Sequence, residues 1–470
     1  YGALRAGAIV VPTNPLYVEA ELQHQLADAG AQTVVTLTKF YSLVKKVQPK
    51  TQVKNVIVSN IKDYFPPLTR FLFTLAKEKK EGHRVEVDKS PGNYLLLDLL
   101  QQHAGRTYEA EVSPDDIALF QYTGGTTGLS KGAMLTHRNL VANTIQTAAW
   151  LTDIKDGAEV ILCALPFFHV YGMTTAMNLG MRIAATLLLL PRFDLKEVLV
   201  SINKHRPTIF PGVPTMYVAI NNHPQIARYD VKSIRACLSG AAPLPVEVQQ
   251  RFEALTGGKL VEGYGLTEAS PVLHCNPIYG LRKVGSIGLP FPDVEVKVVD
   301  VETGTRELGV GEVGEIAVRG PQVMKGYWNK EDETRNVLRD GWLHTGDIGK
   351  MDEDGFFYIV DRKKDMIIAG GYNIYPRDIE EVLYAHPKVR EAVAAGVPDK
   401  YRGETVKVYV VLKAGETATE EEIIEYCRGK MAKYKVPTLV EFRTELPKTL
   451  VGKVLRRVLV EEEKRKIAGS

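Results

Sequence analysis

The chain has 470 residues, 45% of them hydrophobic and 24% charged, with 59 Lys and Arg against 56 Asp and Glu. That length exceeds one ordinary core and predicts about two to four compact units, while a formal charge of +3 gives no sign of a nucleic-acid surface. Cys163, Cys237, Cys275 and Cys427 stand far apart with no CxxC pair, which argues against structural zinc or a disulfide framework and for a reducing, cytoplasmic setting.

Tyr1 to Pro12 reads as the middle of a helix running into a strand, with no charged n-region or signal core, so a fragment lacking its natural N-terminus is expected. Short apolar runs then alternate with helical stretches to about residue 290. Strands are predicted at 9–11, 33–36, 56–58, 160–163, 208–210 and 260–263, with helices such as 19–29 and 245–255 between them. The alternation predicts parallel α/β sheets covered by helices. Leu68, Phe71, Leu72, Leu75 and Ala76 form an apolar stripe at helical spacing, followed by Lys77, Lys79 and Lys80. This segment, 68–80, fits either a peripheral membrane contact or packing against the body of the protein. The apolar run from 171 to 190 is interrupted by Asn178 and Arg182, so it reads as a helix and then a buried strand over 184–190, not a membrane span. Between 285 and 360 the texture changes to alternating strands, at 294–299, 314–319 and 356–360, which suits a small antiparallel barrel or sheet. A basic turn, 362–365, precedes a helix over 376–385 and mixed strands and helices. The expected boundary therefore divides a large region, 1–361, from a small one, 362–470.

Four motifs carry chemistry. Tyr122-Thr-Gly-Gly-Thr-Thr-Gly-Leu-Ser-Lys-Gly-Ala133 follows the apolar run 117–120. Glycines Gly124, Gly125 and Gly128 let backbone N–H groups turn inward, Thr123, Thr126 and Thr127 add hydroxyls, and Lys131 adds a point charge. Such a loop suits a polyphosphate, although it is not a Walker loop. In Glu262-Gly-Tyr-Gly-Leu-Thr-Glu268, Gly263 and Gly265 flank Tyr264 so that ring and backbone can meet a flat ligand, and Thr267 and Glu268 offer oxygen atoms. A carboxylate beside a triphosphate is best explained as a Mg²⁺ ligand; the bland reading is a glycine turn after a strand. Gly341-Trp-Leu-His-Thr-Gly-Asp347 places an acid where it can accept from a ribose diol or simply close a turn. Lys453, framed by Pro447 and Gly452, can reach a neighbouring cleft and stabilise charge on phosphate and carboxylate.

These motifs, in this order, resemble those of the adenylate-forming superfamily of acyl-CoA synthetases, adenylation domains and luciferases. Pro166-Phe-Phe-His-Val-Tyr-Gly172 and Asp361-Arg-Lys-Lys-Asp-Met366 are most similar to those of bacterial long-chain fatty acid–CoA ligases. The resemblance spans nearly the whole chain and implies that roughly 80 to 100 residues of a full-length member precede it. It implies large doubly wound α/β subdomains plus a small β-barrel, then a mobile α+β C-terminal domain with its hinge near 362–365. It also implies that Thr123 to Gly128 and Lys131 hold the phosphates of ATP. Thr123 and Glu268 would hold Mg²⁺, and Gly240, Ala241, Glu262, Gly263, Tyr264, Gly265 and Thr267 would surround the nucleotide. Asp347 and Arg362 fall at the ribose, Lys364 at the hinge, Gly370 and Gly371 beside the pantetheine arm of CoA, and Lys453 at the adenylation step. Ile368 stands where several relatives carry a second lysine, so that lysine's role does not transfer.

The implied reaction joins a fatty acid to CoA through an acyl-adenylate, with ATP and CoA as co-substrates. His169 is open between a core residue and a role at the carboxylate entrance. Val170, Met173, Val213 and Met216 fit an aliphatic chain or the core. The segment 166–169 lacks the acid that pairs the amine in amino-acid adenylation domains, which disfavours amino acids. An aryl- or medium-chain acyl-CoA ligase, a luciferase-like oxygenase and a non-catalytic nucleotide- or lipid-binding protein are the rival readings. A homodimer is a family-level expectation.

Overall fold

The computed structural model describes residues 1–123, 130–369, 372–399, 401–449 and 454–468. The chain forms two compact units, one of residues 1–138 with 324–331, the other of 139–323 with 332–470.

In the first unit the β-branched runs Thr33–Leu37 and Asn55–Ser59 pair in parallel, and Asn93–Leu95 joins the same sheet in parallel. Helices Glu19–Asp28 and Thr38–Val47 cover it with residues at i, i+3 and i+4 spacing: Leu22 and Leu26, then Tyr41, Val44 and Val47, packed with Val56 and Val58. Burying each such aliphatic side chain contributes roughly 1.5–3 kcal/mol. Strands Ile117–Thr123 and Lys131–Thr136 form an antiparallel pair, and Val10 bridges in parallel to Leu119.

The stripe at 68–80 lies on helix Pro67–Ala76, which starts with proline at a position where its missing N–H costs nothing. The helix is anchored by Phe73, whose ring meets Phe65 at 5.4 Å and His83 at 6.0 Å. Its other apolar side chains do not pack inward: Leu68 is 71% exposed, Phe71 60%, Leu72 54% and Leu75 70%.

The second unit is built on strand–helix–strand repeats. Thr186–Leu189 and Val160–Cys163 pair in parallel, bridges at Ile209 and Gly212 continue the array, and Ala236–Ser239 and Lys259–Gly265 follow in parallel. Val272–Cys275 then turns back antiparallel. Helices Leu195–His205, Pro214–Asn221 and Val246–Thr256 bury Leu199, Tyr217 and Phe252 in the core beside this sheet. Strand Thr186–Leu189 departs from the buried strand expected at 184–190: Leu189 is 62% exposed, because the strand is at the sheet edge. The run before it is helical from Val170 to Arg182, with a π-helical stretch at Met173–Asn178. Among the described residues no helix is long and apolar enough to cross a membrane.

Glu295–Val299, Gly314–Arg319, Leu338–Arg339, Trp342–Met351 and Phe357–Arg362 make the antiparallel sheet expected from the alternating texture. After a turn at 363–365, a second sheet gathers Ile367–Ala369, Tyr372–Ile374, Val389–Asp399, Gly403–Leu412 and Leu439–Phe442. Helix Pro376–Tyr384 buries Ile379 and Leu383 in the core of that sheet.

Candidate nucleotide and acyl site

Thr123 ends one strand of the hairpin and Lys131 begins the other, and the two are direct partners in its register. The pairing brings together the two ends of the proposed phosphate loop. Gly124, Gly125, Thr126, Thr127 and Gly128 lie outside the described residues. Next to the loop, Gly132 leaves room for the Tyr122 ring; a Cβ there would meet it at 3.2 Å. The ammonium of Lys131 sits 4.8 Å from the centre of the Tyr327 ring.

In the second unit, Tyr264, Asp347 and Arg362 form one connected group. The Tyr264 hydroxyl donates to Asp347 Oδ2 at 2.7 Å, and Arg362 Nε stands 3.3 Å from Asp347 Oδ1. Backbone register makes this possible, since Asp347 and Arg362 are direct partners across neighbouring antiparallel strands. Burial and the Asp347 carboxylate push the Tyr264 phenol well above its ordinary range, so it remains a donor. Beneath it His274 is wholly buried, its ring 5.7 Å from that of Tyr264 and 4.9 Å from that of Phe357. Burial lowers its pKa to about 3 and keeps it neutral.

The glycines of this region serve packing, a role the sequence reading did not assign. A Cβ on Gly265 would lie 1.9 Å from the Pro271 carbonyl oxygen, and one on Gly263 would lie 2.5 Å from Leu238 Cδ1. Ala241, directly after Gly240, adopts the left-handed backbone at φ 68°. Under Gly240 stands the ring of Tyr171, whose hydroxyl donates to the carbonyls of Gly212 (3.0 Å) and Leu238 (2.6 Å). Sequence gave no signal for this strut beyond an aromatic in a glycine-bounded motif. Glu262 is buried and accepts from the Leu244 N–H at 3.1 Å; desolvation, opposed by Arg377, raises its pKa to about 7. Thr267 and Glu268 lie on the short turn Thr267–Ala269 that follows.

The segment from 361 to 365, the expected hinge, is firmly tied. Asp361 is buried and accepts from the N–H groups of Arg362 (2.7 Å) and Arg377 (2.9 Å); desolvation raises its pKa to about 6. Arg456 joins Asp365 at 2.7 Å to Glu380 at 2.6 Å. Lys364 is lowered to about 8, first by burial and then by Arg362, against the pull of Asp365, Asp347 and Glu268. Lys364 therefore interacts with both Asp347, the candidate ribose acid, and Glu268, the candidate metal ligand. Gly370, Gly371 and Lys453 lie outside the described residues.

His169 is neither a fully buried core residue nor a bare surface one. It is half-buried, and its Nδ1 accepts from the Tyr171 N–H at 3.2 Å, capping the helical run that begins at Val170. Val213 and Met216 sit in the core around Tyr171 and Phe210, and Val170 and Met173 are buried. An apolar cavity of about 30 Å³ lies on different residues, among them Trp150, Leu151, Thr175, Leu179, Pro211 and Cys275. It has room for about one water, whereas a typical ligand pocket is on the order of 300–1,000 Å³. A long acyl chain fits there only if lining side chains move.

The AMP-binding enzyme family matches residues 1–328 and its C-terminal domain matches 378–453. The chain is 53% identical over 466 residues to the long-chain-fatty-acid–CoA ligase of Bacillus subtilis (strain 168), covering 98% of this chain and 82% of that one. It is 42% identical to the enzyme of the same name from Escherichia coli O157:H7, covering 99% and 83%. Among solved structures it resembles ATP-bound MatB from Rhodopseudomonas palustris, with a TM-score of 0.87, 33% identity, and coverage of 98% and 85%. The chain belongs to the AMP-binding enzyme family, the adenylate-forming enzymes whose motifs its residues carry.

Proposed function

We propose that the chain is a long-chain fatty acid–CoA ligase that uses ATP, forms acyl-AMP and pyrophosphate, and then transfers the acyl group to CoA. The observation that carries this reading is near-full-length similarity to long-chain ligases; the joined Tyr264, Asp347 and Arg362 group supports the nucleotide part. A carboxylate oxygen of the fatty acid attacks the α-phosphorus of ATP and the bond to the β-phosphate oxygen breaks. The CoA sulfur then attacks the acyl carbon, and AMP leaves with the electron pair of the C–O bond.

Each residue's part follows from its chemistry. Asp347 accepts from ribose hydroxyls, held in place by Tyr264 and Arg362. Thr123, Lys131 and the loop amides neutralise and orient the phosphates. Lys453 stabilises charge in the first step, and Gly371 lets CoA approach in the second. Both lie beyond the hinge, so the small domain turns between steps, with Lys364 at the pivot. His169, through the helix it caps, shapes the acyl entrance. Among the described residues no three His, Cys, Asp or Glu form a ready metal cluster. By family likeness the oxygen donors Thr123 and Glu268 would hold Mg²⁺, which takes one or two carboxylates and completes its shell with phosphates and waters. When bound, Mg²⁺ would offset phosphate charge.

The exposed Leu68, Phe71, Leu72 and Leu75 beside Lys77, Lys79 and Lys80 support peripheral contact of a cytoplasmic enzyme with an anionic membrane face, where fatty acids are collected. A homodimer completes the reading by family likeness. The test is pyrophosphate release with ATP and Mg²⁺ across octanoate, palmitate, oleate, benzoate, coumarate and amino acids, with and without CoA. Greatest release with palmitate or oleate is expected; preference for an aromatic acid would keep the mechanism and overturn the substrate.

A further inference from the structure

Both ends of the phosphate loop are fastened to the same helix, Glu19–Asp28. At the entry side, the Tyr122 hydroxyl, one residue before Thr123, donates to Asp28 Oδ2 at 2.6 Å. At the exit side, His24 Nε2 lies 3.1 Å from the carbonyl oxygen of Ser130, one residue before Lys131. The carbonyl only accepts, so Nε2 carries the hydrogen. His24 and Asp28 are four apart and therefore share a helix face.

The helix is itself well anchored. Leu22 and Leu26 are in the core of this unit, and Gln25 donates to the Pro12 carbonyl at 3.1 Å. The indole of Trp328 donates to the Asp28 carbonyl at 3.0 Å, and its ring stacks on Phe120 at 4.7 Å. Burial, with the Asp28 bond, raises the pKa of the Tyr122 phenol and keeps its proton in place. The clamp thus joins a rigid helix to the residues flanking both Thr123 and Lys131.

We propose that His24 is a positioning residue for the ATP phosphates, acting through the Ser130 carbonyl, with Asp28 and Tyr122 as its counterpart on the other strand. The helix fixes Tyr122 and Ser130, the neighbours of Thr123 and Lys131, so the placement of these flanking residues is in place before ATP arrives. This rests on the nucleotide reading above. His24 does not touch a substrate; losing it loosens the exit end of the loop and leaves the helix and core intact.

The experiment compares wild type, His24→Leu, His24→Gln and Tyr122→Phe by three readouts: KM for ATP, KM for palmitate, and melting temperature with and without ATP and Mg²⁺. His24→Leu should raise KM for ATP about tenfold, with KM for palmitate unchanged and the ligand-free melting temperature lowered by no more than about 3 °C, the loss of one part-buried hydrogen bond. His24→Gln keeps an N–H donor and should restore KM to within about threefold of wild type. Tyr122→Phe should raise KM for ATP as His24→Leu does. Equal rises in both KM values, or a Gln variant no better than Leu, overturns the proposal. If His24→Leu does not fold, the Gln and Phe variants decide alone, and unchanged ATP affinity in the Phe variant removes the two-ended clamp. Wild type that gains no thermal stability from ATP and Mg²⁺ sinks the nucleotide reading itself, a failure visible before any variant is made.

Discussion

The hairpin at 117–136 and the group around Tyr264 hold their proposed functional residues in opposite ways. In the hairpin, strand register sets Thr123 opposite Lys131, and the fastening bonds come from neighbours of those residues: Tyr122 to Asp28, and Ser130 to His24. Around Tyr264 the functional side chains fasten each other, with Asp347 only 4% exposed between a phenol and a guanidinium. On the proposed roles, function and stability are therefore separable in the hairpin and fused around Tyr264.

The largest contrast comes from Lys453, whose proposed role is confined to developing charge. Replacing one preorganised donor typically costs about 2.7–4 kcal/mol, so Lys453→Ala should slow adenylation roughly 10²–10³-fold. Thioester formation from supplied acyl-adenylate should change much less; equal loss of both half-reactions would remove the assignment. Asp347→Ala should break the fused group. It leaves the half-buried Tyr264 hydroxyl and Arg362 without their shared carboxylate, at a cost of about 2 kcal/mol in urea unfolding together with weakened ATP binding. Thr123→Val is the matching change in the hairpin, and it should slow adenylation while moving unfolding by no more than about 0.5 kcal/mol. A large stability loss there would erase the contrast.

Glu262 sharpens the comparison through pH. Its folded pKa is about 7, above the ordinary 4.5, so the folded state binds more protons than the unfolded one between those values. Stability is thus highest below about pH 4.5 as far as this group is concerned, and falls as pH rises toward 7, by up to about 3 kcal/mol. Glu262→Gln keeps an acceptor for the Leu244 N–H and should flatten that portion of the stability curve. An unchanged slope in pH-dependent urea melts would show that Glu262 ionises freely. The smallest expected effect is at the surface: Phe71→Ser with Leu72→Ser should lower flotation with phosphatidylglycerol vesicles about tenfold without altering turnover of soluble octanoate. Unchanged flotation would remove the membrane contact.

Much of this was legible in the sequence. Period-two and unbroken apolar runs located strands such as Thr33–Leu37, Asn55–Ser59 and Lys259–Gly265, and the change of texture after residue 285 located the antiparallel sheet. Motif order pointed to the family that the matches over 1–328 and 378–453 show. What sequence could not supply were contacts between distant residues. Tyr264 meets Asp347 across 83 positions, and Tyr171 supports Gly240 through carbonyls 41 and 67 positions away. The same limit explains the glycines beside Tyr264, which read as ligand-approach positions and are also required by Pro271 and Leu238. It also explains His169, whose capping bond is local yet indistinguishable in sequence from burial or catalysis.

The most direct test is a single turnover with palmitate, ATP and Mg²⁺, quenched and analysed by mass spectrometry before and after CoA is added. The account predicts enzyme-bound palmitoyl-AMP without CoA and its conversion to palmitoyl-CoA and AMP when CoA is supplied. Palmitoyl-CoA arising without any acyl-AMP, or ADP and phosphate in place of AMP and pyrophosphate, would contradict it.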